Sequence, residues 1–280
     1  MVKIIVDSTA DLIEEVKPQV TVVPLTICFG EEEYIDGVTI NHRQFYEKLI
    51  ESDLLPTTSQ VTPHAFGECF KEATKNGDTA VVITLSSKLS GTYQSALIAA
   101  EDFEGKVFVV DSESVAIGSG ILTEYALKLK NKGMEASDIA AELEEEKKNI
   151  RVIALLDTLE YLKKGGRISA ATATIGGMLA IKPVICLTDG EIKQLGKARG
   201  SKQANNLLAS EIAAAGGVDF KKPLLLGYTG LTDILLQKYI EDSAHLWKDG
   251  ADTLHTTVVG SVVGTHAGPG AIAVAFFKKK

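Results

Sequence analysis

Cysteine is scarce in this sequence, and what there is cannot build a disulfide framework. The 280 residues hold three cysteines, Cys28, Cys69 and Cys186. They are widely spaced, form no Cys-x-x-Cys pair and, being odd in number, cannot all pair within one chain. Reduced, buried thiols in a cytoplasmic protein are the expectation. Metal-ligand spacing is also missing: the five histidines form no cluster with the cysteines, so no metal is expected. No apolar run is long enough to span a bilayer. The best candidate, residues 175–187, is interrupted by Lys182 and Pro183. Positive charge is in deficit, and a net charge of -8 argues against a nucleic-acid backbone as partner. The Lys278-Lys279-Lys280 tail reads as a solvated end, with membrane contact at most transient. The first residues, Met1 to Asp7, read as a strand and not as a signal peptide, because the apolar run is too short and no small-residue cleavage site follows. Nucleotide signatures are absent, with neither Gly-x-Gly-x-x-Gly after a strand nor a phosphate loop ending in Gly-Lys-Ser/Thr. The Gly-x-Ser-x-Gly elbow of α/β hydrolases is missing too.

What is present is a soluble-protein composition, 45% hydrophobic and 24% charged, enough for a substantial core. The first half alternates strand and helix. Apolar runs at Val2–Val6, Val20–Phe29, Ala80–Leu85 and Val107–Val110 predict strands, and Glu31–Ile40 a polar hairpin. Asp7-Ser8-Thr9 offers caps to a short helix, and Asn41 caps another running to Ser52. Further helices are predicted over 64–75, 91–103, 119–131 and 136–149. This order predicts a parallel sheet covered on both faces. The second half is different. Strands are expected at 151–156, 224–228, 253–260 and 271–277, with helices at 159–164, 202–215 and 233–247. Thr188-Asp189-Gly190-Glu191 between two strand-like runs is a hairpin signal. Hairpins mixed with helices predict a mixed sheet. The expected class is α/β with two domains: residues 1–155 as a three-layer α/β/α unit with a parallel sheet, and residues 156–280 as a two-layer α/β unit with a mixed sheet.

Four polar clusters stand between the apolar runs. Ser86 to Thr92 follows a strand and opens a helix, where unpaired N–H groups and the positive dipole end suit a carboxylate or phosphate. There Ser90 and Thr92 add hydroxyls and Gly91 lets a ligand approach the backbone; an ordinary Ser-capped helix start explains the same residues. Thr57-Thr58-Ser59-Gln60 suits a turn as well as a ligand. Gly165-Gly166 is an expected helix stop, but Arg167 beside it is a preferred donor to carboxylate or phosphate. His266, set among Gly264, Gly268, Pro269 and Gly270 just before the last strand, reads as a placed donor or base. His42, His64, His245 and His255 fall in helix or strand patterns and read as structural or exposed.

In this order the motifs resemble those of the DegV family, bacterial fatty-acid-binding proteins that act as carrier subunits of fatty acid kinase. The resemblance spans essentially the whole chain. It is carried by Val6-Asp7-Ser8-Thr9-Ala10-Asp11-Leu12, Thr58-Ser59-Gln60, Leu89-Ser90-Gly91-Thr92-Tyr93, Val110-Asp111-Ser112, Lys164-Gly165-Gly166-Arg167-Ile168, Lys182-Pro183 and His266-Ala267-Gly268-Pro269-Gly270. One departure is Val61-Thr62-Pro63, where family members often have proline directly after Ser-Gln. The resemblance implies a long-chain fatty acid, such as palmitate or oleate, in a deep apolar tunnel between or beneath the domains. It places the carboxyl group on Thr58 and Ser90, with Gly91 alongside. His266 would complete the head-group network, and Arg167 would lie near the mouth. It also implies a separate kinase subunit that phosphorylates the presented carboxyl group with ATP and magnesium, so that this chain is a carrier without catalytic residues of its own. Two other readings stay open on the residues alone. One is an acyl hydrolase with Ser90 as nucleophile, His266 as base and Asp7 or Asp111 as orienter. The other is a binder of small phosphorylated metabolites, like dihydroxyacetone kinase.

Overall fold

In the computed structural model, residues 1–169, 181–250 and 254–279 are described. Residues 175–180 of the apolar run considered above, Thr253 of the expected strand 253–260, and Lys280 lie outside them. From the N-terminus the elements are β1 (Val2–Asp7), β2 (Thr21–Val23), β3 (Thr26–Phe29), β4 (Glu32–Ile35), α1 (His42–Glu51), β5 (Thr57–Ser59), α2 (Pro63–Thr74), β6 (Thr79–Thr84), α3 (Thr92–Ala100), β7 (Val107–Asp111), α4 (Ile117–Asn131) and α5 (Ala136–Glu146). There follow β8 (Ile150–Leu155), α6 (Glu160–Lys164), β9 (Ile181–Thr188), β10 (Glu191–Arg199), α7 (Gly200–Ala214), β11 (Leu224–Tyr228), α8 (Ile234–Asp242), α9 (Ala244–Trp247), β12 (His255–Val258), α10 (Ser261–Ala267) and β13 (Ile272–Phe277).

The apolar runs of the first half form a parallel sheet in the order β2-β1-β6-β7. Each central strand is buried on both faces. One face packs on α4 and α5 through residues such as Ile4, Val81, Ile121 and Leu143. The other packs on α2 and α3 through Ile5, Val82, Phe66, Phe70 and Ala96. This is the three-layer arrangement expected. Local signals explain the helix starts: Asn41 and Gln44 form a reciprocal capping box on α1, and Thr62 caps α2 with Pro63 in its first turn.

Three local readings need correction. The expected strand over 20–29 breaks at Pro24, which lacks an N–H to continue the ladder. Its first part, β2, joins the parallel sheet, whereas β3 joins a separate antiparallel sheet in the order β4-β3-β5. Thr57-Thr58-Ser59, expected as a turn, is the edge strand β5 of that small sheet, with Thr58 opposite Ile27. No helix starts at Asp7-Ser8-Thr9; the one helical turn before β2 is the 3-10 segment Lys17–Gln19, which they do not cap. Instead of capping one, Asp7 accepts hydrogen bonds from the Thr9 N–H and hydroxyl and from the Leu85 N–H, tying the end of β1 to the end of β6.

The second half builds a six-stranded mixed sheet, β10-β9-β8-β13-β11-β12, in which only β11 and β12 pair in parallel. Asp189 and Gly190 both have positive φ, 53° and 78°, as the tight turn between β9 and β10 requires. One face of this sheet packs on α7 and α8 through Leu208, Ile212, Leu236 and Tyr239. The other faces the first half. Because β8 is a central strand here, a division of the chain after residue 155 would sever it from its partners β9 and β13. Gly118 of α4 lies so close to β8 that a Cβ would come within 2.4 Å of Val152 Cγ2. Among the described residues, no helix is long and apolar enough to cross a membrane.

Candidate functional site

A cavity of about 390 Å³ occupies the gap between the six-stranded sheet and the first half. That is the size of a small-molecule pocket. Its existence follows from side-chain size and sheet register. Leu225, Ala275, Val152 and Leu187 stand opposite one another across four strands, and Val152 meets α4. Two residues further along the same face, the row is Gly227, Ala273, Ala154 and Ile185. Three of those four are glycine or alanine, so the sheet surface recedes. At its β11 end the trough is closed by Ile117 and Val259, whose methyl carbons lie 2.9 and 3.1 Å from where a Cβ on Gly227 would be. Leu85, Leu89, Leu156, Leu162, Val262 and Val263 complete a mostly apolar wall.

All five residues singled out from the sequence, Thr58, Ser90, Gly91, Arg167 and His266, line this one cavity. Each comes from a different element or loop, except that Ser90 and Gly91 adjoin. Thr58 on β5 and His266 on α10, 208 residues apart, are in direct contact, with Thr58 Oγ1 3.0 Å from His266 Nε2. His266 precedes the last strand, as the sequence indicated. It stands in the last turn of the short helix α10, packed by glycines. A Cβ on Gly165 would come within 2.2 Å of His266 Nδ1, and one on Gly268 within 2.3 Å of the Tyr161 ring. Gly165 of the Gly-Gly-Arg motif therefore serves as the surface on which the imidazole rests.

Ser90 Oγ is 3.0 Å from Thr92 Oγ1 at the start of α3. Gly91 does permit a close approach, but the group that makes it is protein. The Gln60 side chain lies across this helix start, donating to Ser95 Oγ at 2.9 Å, and its Oε1 is 2.2 Å from where a Cβ on Gly91 would be. Arg167 is anchored from both sides: Nε donates to the Leu89 carbonyl at 3.1 Å and Nη1 to the Gly165 carbonyl at 2.6 Å. It thus links the loop bearing Ser90 to the loop against His266.

Burial, with the Arg167 charge adding to it, pushes the His266 imidazolium down to a pKa of about 4. The ring is therefore neutral at physiological pH. Its Nδ1 is buried with no hydrogen-bond partner. That geometry does not assemble a nucleophile–base–acid triad. His266 engages Thr58, not Ser90, and no carboxylate orients Nδ1. Asp7 is committed to Thr9 and Leu85, and Asp111 to the N–H groups of Ser87 and Glu113. Among the described residues no group of three His, Cys, Asp or Glu side chains is placed to hold a metal ion.

A family model for the DegV family, described as one of uncharacterised proteins, matches residues 1–279. The chain belongs to the DegV family. A DegV domain-containing protein of Clostridium acetobutylicum is 36% identical over 283 residues, covering 99% of each chain. Among solved structures, a fatty-acid-binding DegV family protein from Thermus thermophilus matches with a TM-score of 0.88 at 30% identity, over 99% of each chain. A stearic-acid-binding protein from Eubacterium ventriosum matches with a TM-score of 0.86 at 26% identity, covering 100% of this chain and 99% of that one. The α/β architecture is thus that of DegV proteins. Sequence reasoning quoted Gly165 and Gln60 in their motifs without the roles they have here, and it missed the Gly227–Ala273–Ala154 row. The available signal for the last was the run of alternate alanines at 271, 273 and 275 in a strand otherwise built from bulky residues.

Proposed function

We propose that this protein binds one long-chain fatty acid, its tail in the cavity and its carboxyl group at Thr58, Ser90 and His266. The observation that carries this reading is the shape of the cavity: an apolar trough floored by Gly227, Ala273 and Ala154, with a hydroxyl–imidazole–guanidinium cluster on the same wall system. The similar DegV family protein from Thermus thermophilus binds fatty acid, and the similar protein from Eubacterium ventriosum binds stearic acid. A phosphorylated metabolite would find mostly apolar surroundings and an arginine already spent on two carbonyls.

The energetics divide the work between tail and head. Each buried CH₂ contributes about 0.8 kcal/mol, so a long acyl chain supplies on the order of 10 kcal/mol before association entropy is subtracted. Charge-assisted hydrogen bonds to the carboxylate add about 1.5–3 kcal/mol each and offset its desolvation. Neutral His266 fixes the donor pattern. With its proton on Nε2, it donates to Thr58 Oγ1, and the Thr58 hydroxyl is left to donate to the ligand. The opposite tautomer would bury an unpaired Nδ1–H. We assign Arg167 to the mouth, where it holds the two loops in register and supplies positive charge.

In this reading the chain is a cytoplasmic carrier, not a catalyst. It presents the carboxyl group to a separate ATP- and magnesium-dependent kinase subunit that forms the acyl phosphate. The test is to denature the purified protein, extract it with organic solvent and identify the extract by mass spectrometry. A stoichiometric fatty acid, or uptake of added palmitate or oleate, is the expected result. An empty extract with no uptake overturns the proposal.

A further inference from the structure

Four residues before Ser90 stands Ser86, fully buried and outside the cavity wall. Its polar atoms are all engaged. The carbonyl accepts the N–H groups of Leu89 at 3.0 Å and Ser90 at 3.2 Å, folding the loop back on itself. The N–H donates to the Ser114 carbonyl at 2.7 Å, in the loop between β7 and α4. The hydroxyl accepts the Lys88 N–H at 3.2 Å and donates at 2.7 Å to the carbonyl of Gly190, 104 residues away at the tip of the β9–β10 hairpin. That last bond joins the two halves of the chain.

The hairpin is itself a wall of the cavity. Ile185 and Leu187 of β9 and Ile192 of β10 border the same space as Leu89. Leu89 and Ile192 also pack into one apolar cluster with Leu187. Because β10 is the edge strand of the six-stranded sheet, contacts across the gap help to fix the hairpin tip. The fit there is close: a Cβ on Gly190 would lie 2.5 Å from Ser86 Oγ and 3.3 Å from Lys88 Cγ. The non-glycine residues with left-handed φ among the described residues are Glu113, Ala116 and Asp189. All three lie in this tip or in the loop between β7 and α4 that Ser86 also grips. Such backbone persists where surrounding contacts hold it.

We propose that Ser86 is a positioning residue. It holds the Ser90 loop in register with the β9–β10 hairpin, so that the wall beside the acyl tail and the donor to the carboxyl group move as one body. The effect on the carboxyl group rests on the fatty-acid reading above; the mechanical link from Gly190 to Ser90 does not. Leu89 shows how the loop is anchored: its N–H is held by Ser86 and its carbonyl by Arg167. Ser86 is the anchor that reaches the hairpin.

Ser86→Ala removes the donor to Gly190 and the acceptor for Lys88. Gly190→Ala attacks the same contact from the other side, and it decides the matter if Ser86→Ala does not fold. Gly77→Ala is the control, since Gly77 has the same φ of 78° but open space where its Cβ would go. Two readouts are needed: hydrogen exchange at the Leu89 and Ser90 amides in ligand-free protein, and the bound resonance of palmitate labelled with ¹³C at the carboxyl carbon. Ser86→Ala and Gly190→Ala should speed exchange at both amides about tenfold, the effect of one hydrogen bond left unmade, and should move the bound resonance. Gly77→Ala should do neither. Exchange in Gly190→Ala no faster than in Gly77→Ala overturns the link. Faster exchange with an unmoved resonance overturns the positioning of Ser90 toward the carboxyl group. No bound resonance in wild type, beside faster exchange in Gly190→Ala, removes the fatty-acid reading and leaves the link from hairpin to Ser90 standing.

Discussion

Replacing Gly165 by alanine should damage the head-group cluster without disturbing the backbone. Gly165 ends α6 with φ −74°, a conformation any residue adopts, so no backbone strain is introduced. The new Cβ would nonetheless come within 2.2 Å of His266 Nδ1, 2.9 Å of its Cε1 and 3.1 Å of the Tyr161 carbonyl. Ordinary van der Waals contact needs about 3.5–4 Å, so the imidazole must retreat by more than an ångström. The Thr58–His266 contact, now 3.0 Å, does not survive such a shift. Overpacking of this kind costs about 1–3 kcal/mol, and a lost charge-assisted contact to the carboxylate weakens binding by about tenfold or more. The neighbouring glycine supplies the control. Gly166 has φ +70° and open space where its Cβ would go. Gly166→Ala should therefore cost about 1–2 kcal/mol of stability through the left-handed backbone alone. The assay is retention of radiolabelled palmitate after gel filtration, run beside denaturant unfolding. Gly165→Ala should lose ligand beyond its loss of stability, and Gly166→Ala should lose stability only. Equal retention in the two variants would refute the reasoning.

Ala154→Leu adds three carbon atoms to the floor of the trough. By displacing two or three methylenes it should weaken palmitate by about 2 kcal/mol, or roughly thirtyfold, while favouring shorter chains in a chain-length competition. For His266 the folded pKa of about 4 lies below the ordinary 6.5, so its contribution to stability is full above pH 6.5 and is lost as pH falls toward 4. That loss is at most about 3 kcal/mol, and acid titration of ligand-free His266→Gln should lack it. Ser90→Ala should reduce acyl phosphate formation by the proposed kinase subunit more than it reduces fatty-acid retention, and equal losses would count against presentation of the carboxyl group through Ser90. Asn41→Ala removes one side of the α1 capping box and should lower the unfolding free energy by about 1 kcal/mol, measured in urea.

What was legible in the sequence was what local chemistry decides. Asn41 with Gln44, the Asp189-Gly190 turn and the buried runs of β1 and β6 each announce their structure within a few residues. What was not legible depends on tertiary context. The sequence of α10 contains Val262, Val263 and Gly264, all poor helix formers, so no helix was expected there. It is helical because Asp11 holds its start and because Gly264 lets it close on Phe45 and Tyr46. Thr57-Thr58-Ser59 looked like a turn because three hydroxyls in a row carry no strand periodicity; pairing with β3 makes it an edge strand. The order of the polar motifs singled out the residues that line the cavity. It could not reveal that Thr58 and His266 touch, nor that Gly91 accommodates Gln60. The trough was invisible for a similar reason: Gly227, Ala273 and Ala154 become neighbours only once the register of three strands is known.

The central claim is that a fatty acid lies in this cavity with its carboxyl group at Thr58, Ser90 and His266. Palmitate labelled with ¹³C at the carboxyl carbon, added to ligand-free protein, reports on that group directly by NMR. The account predicts one bound resonance, distinct from free palmitate, that moves in Thr58→Val and in Ser90→Ala. A bound resonance unchanged in both variants, or no bound resonance at all, would contradict it.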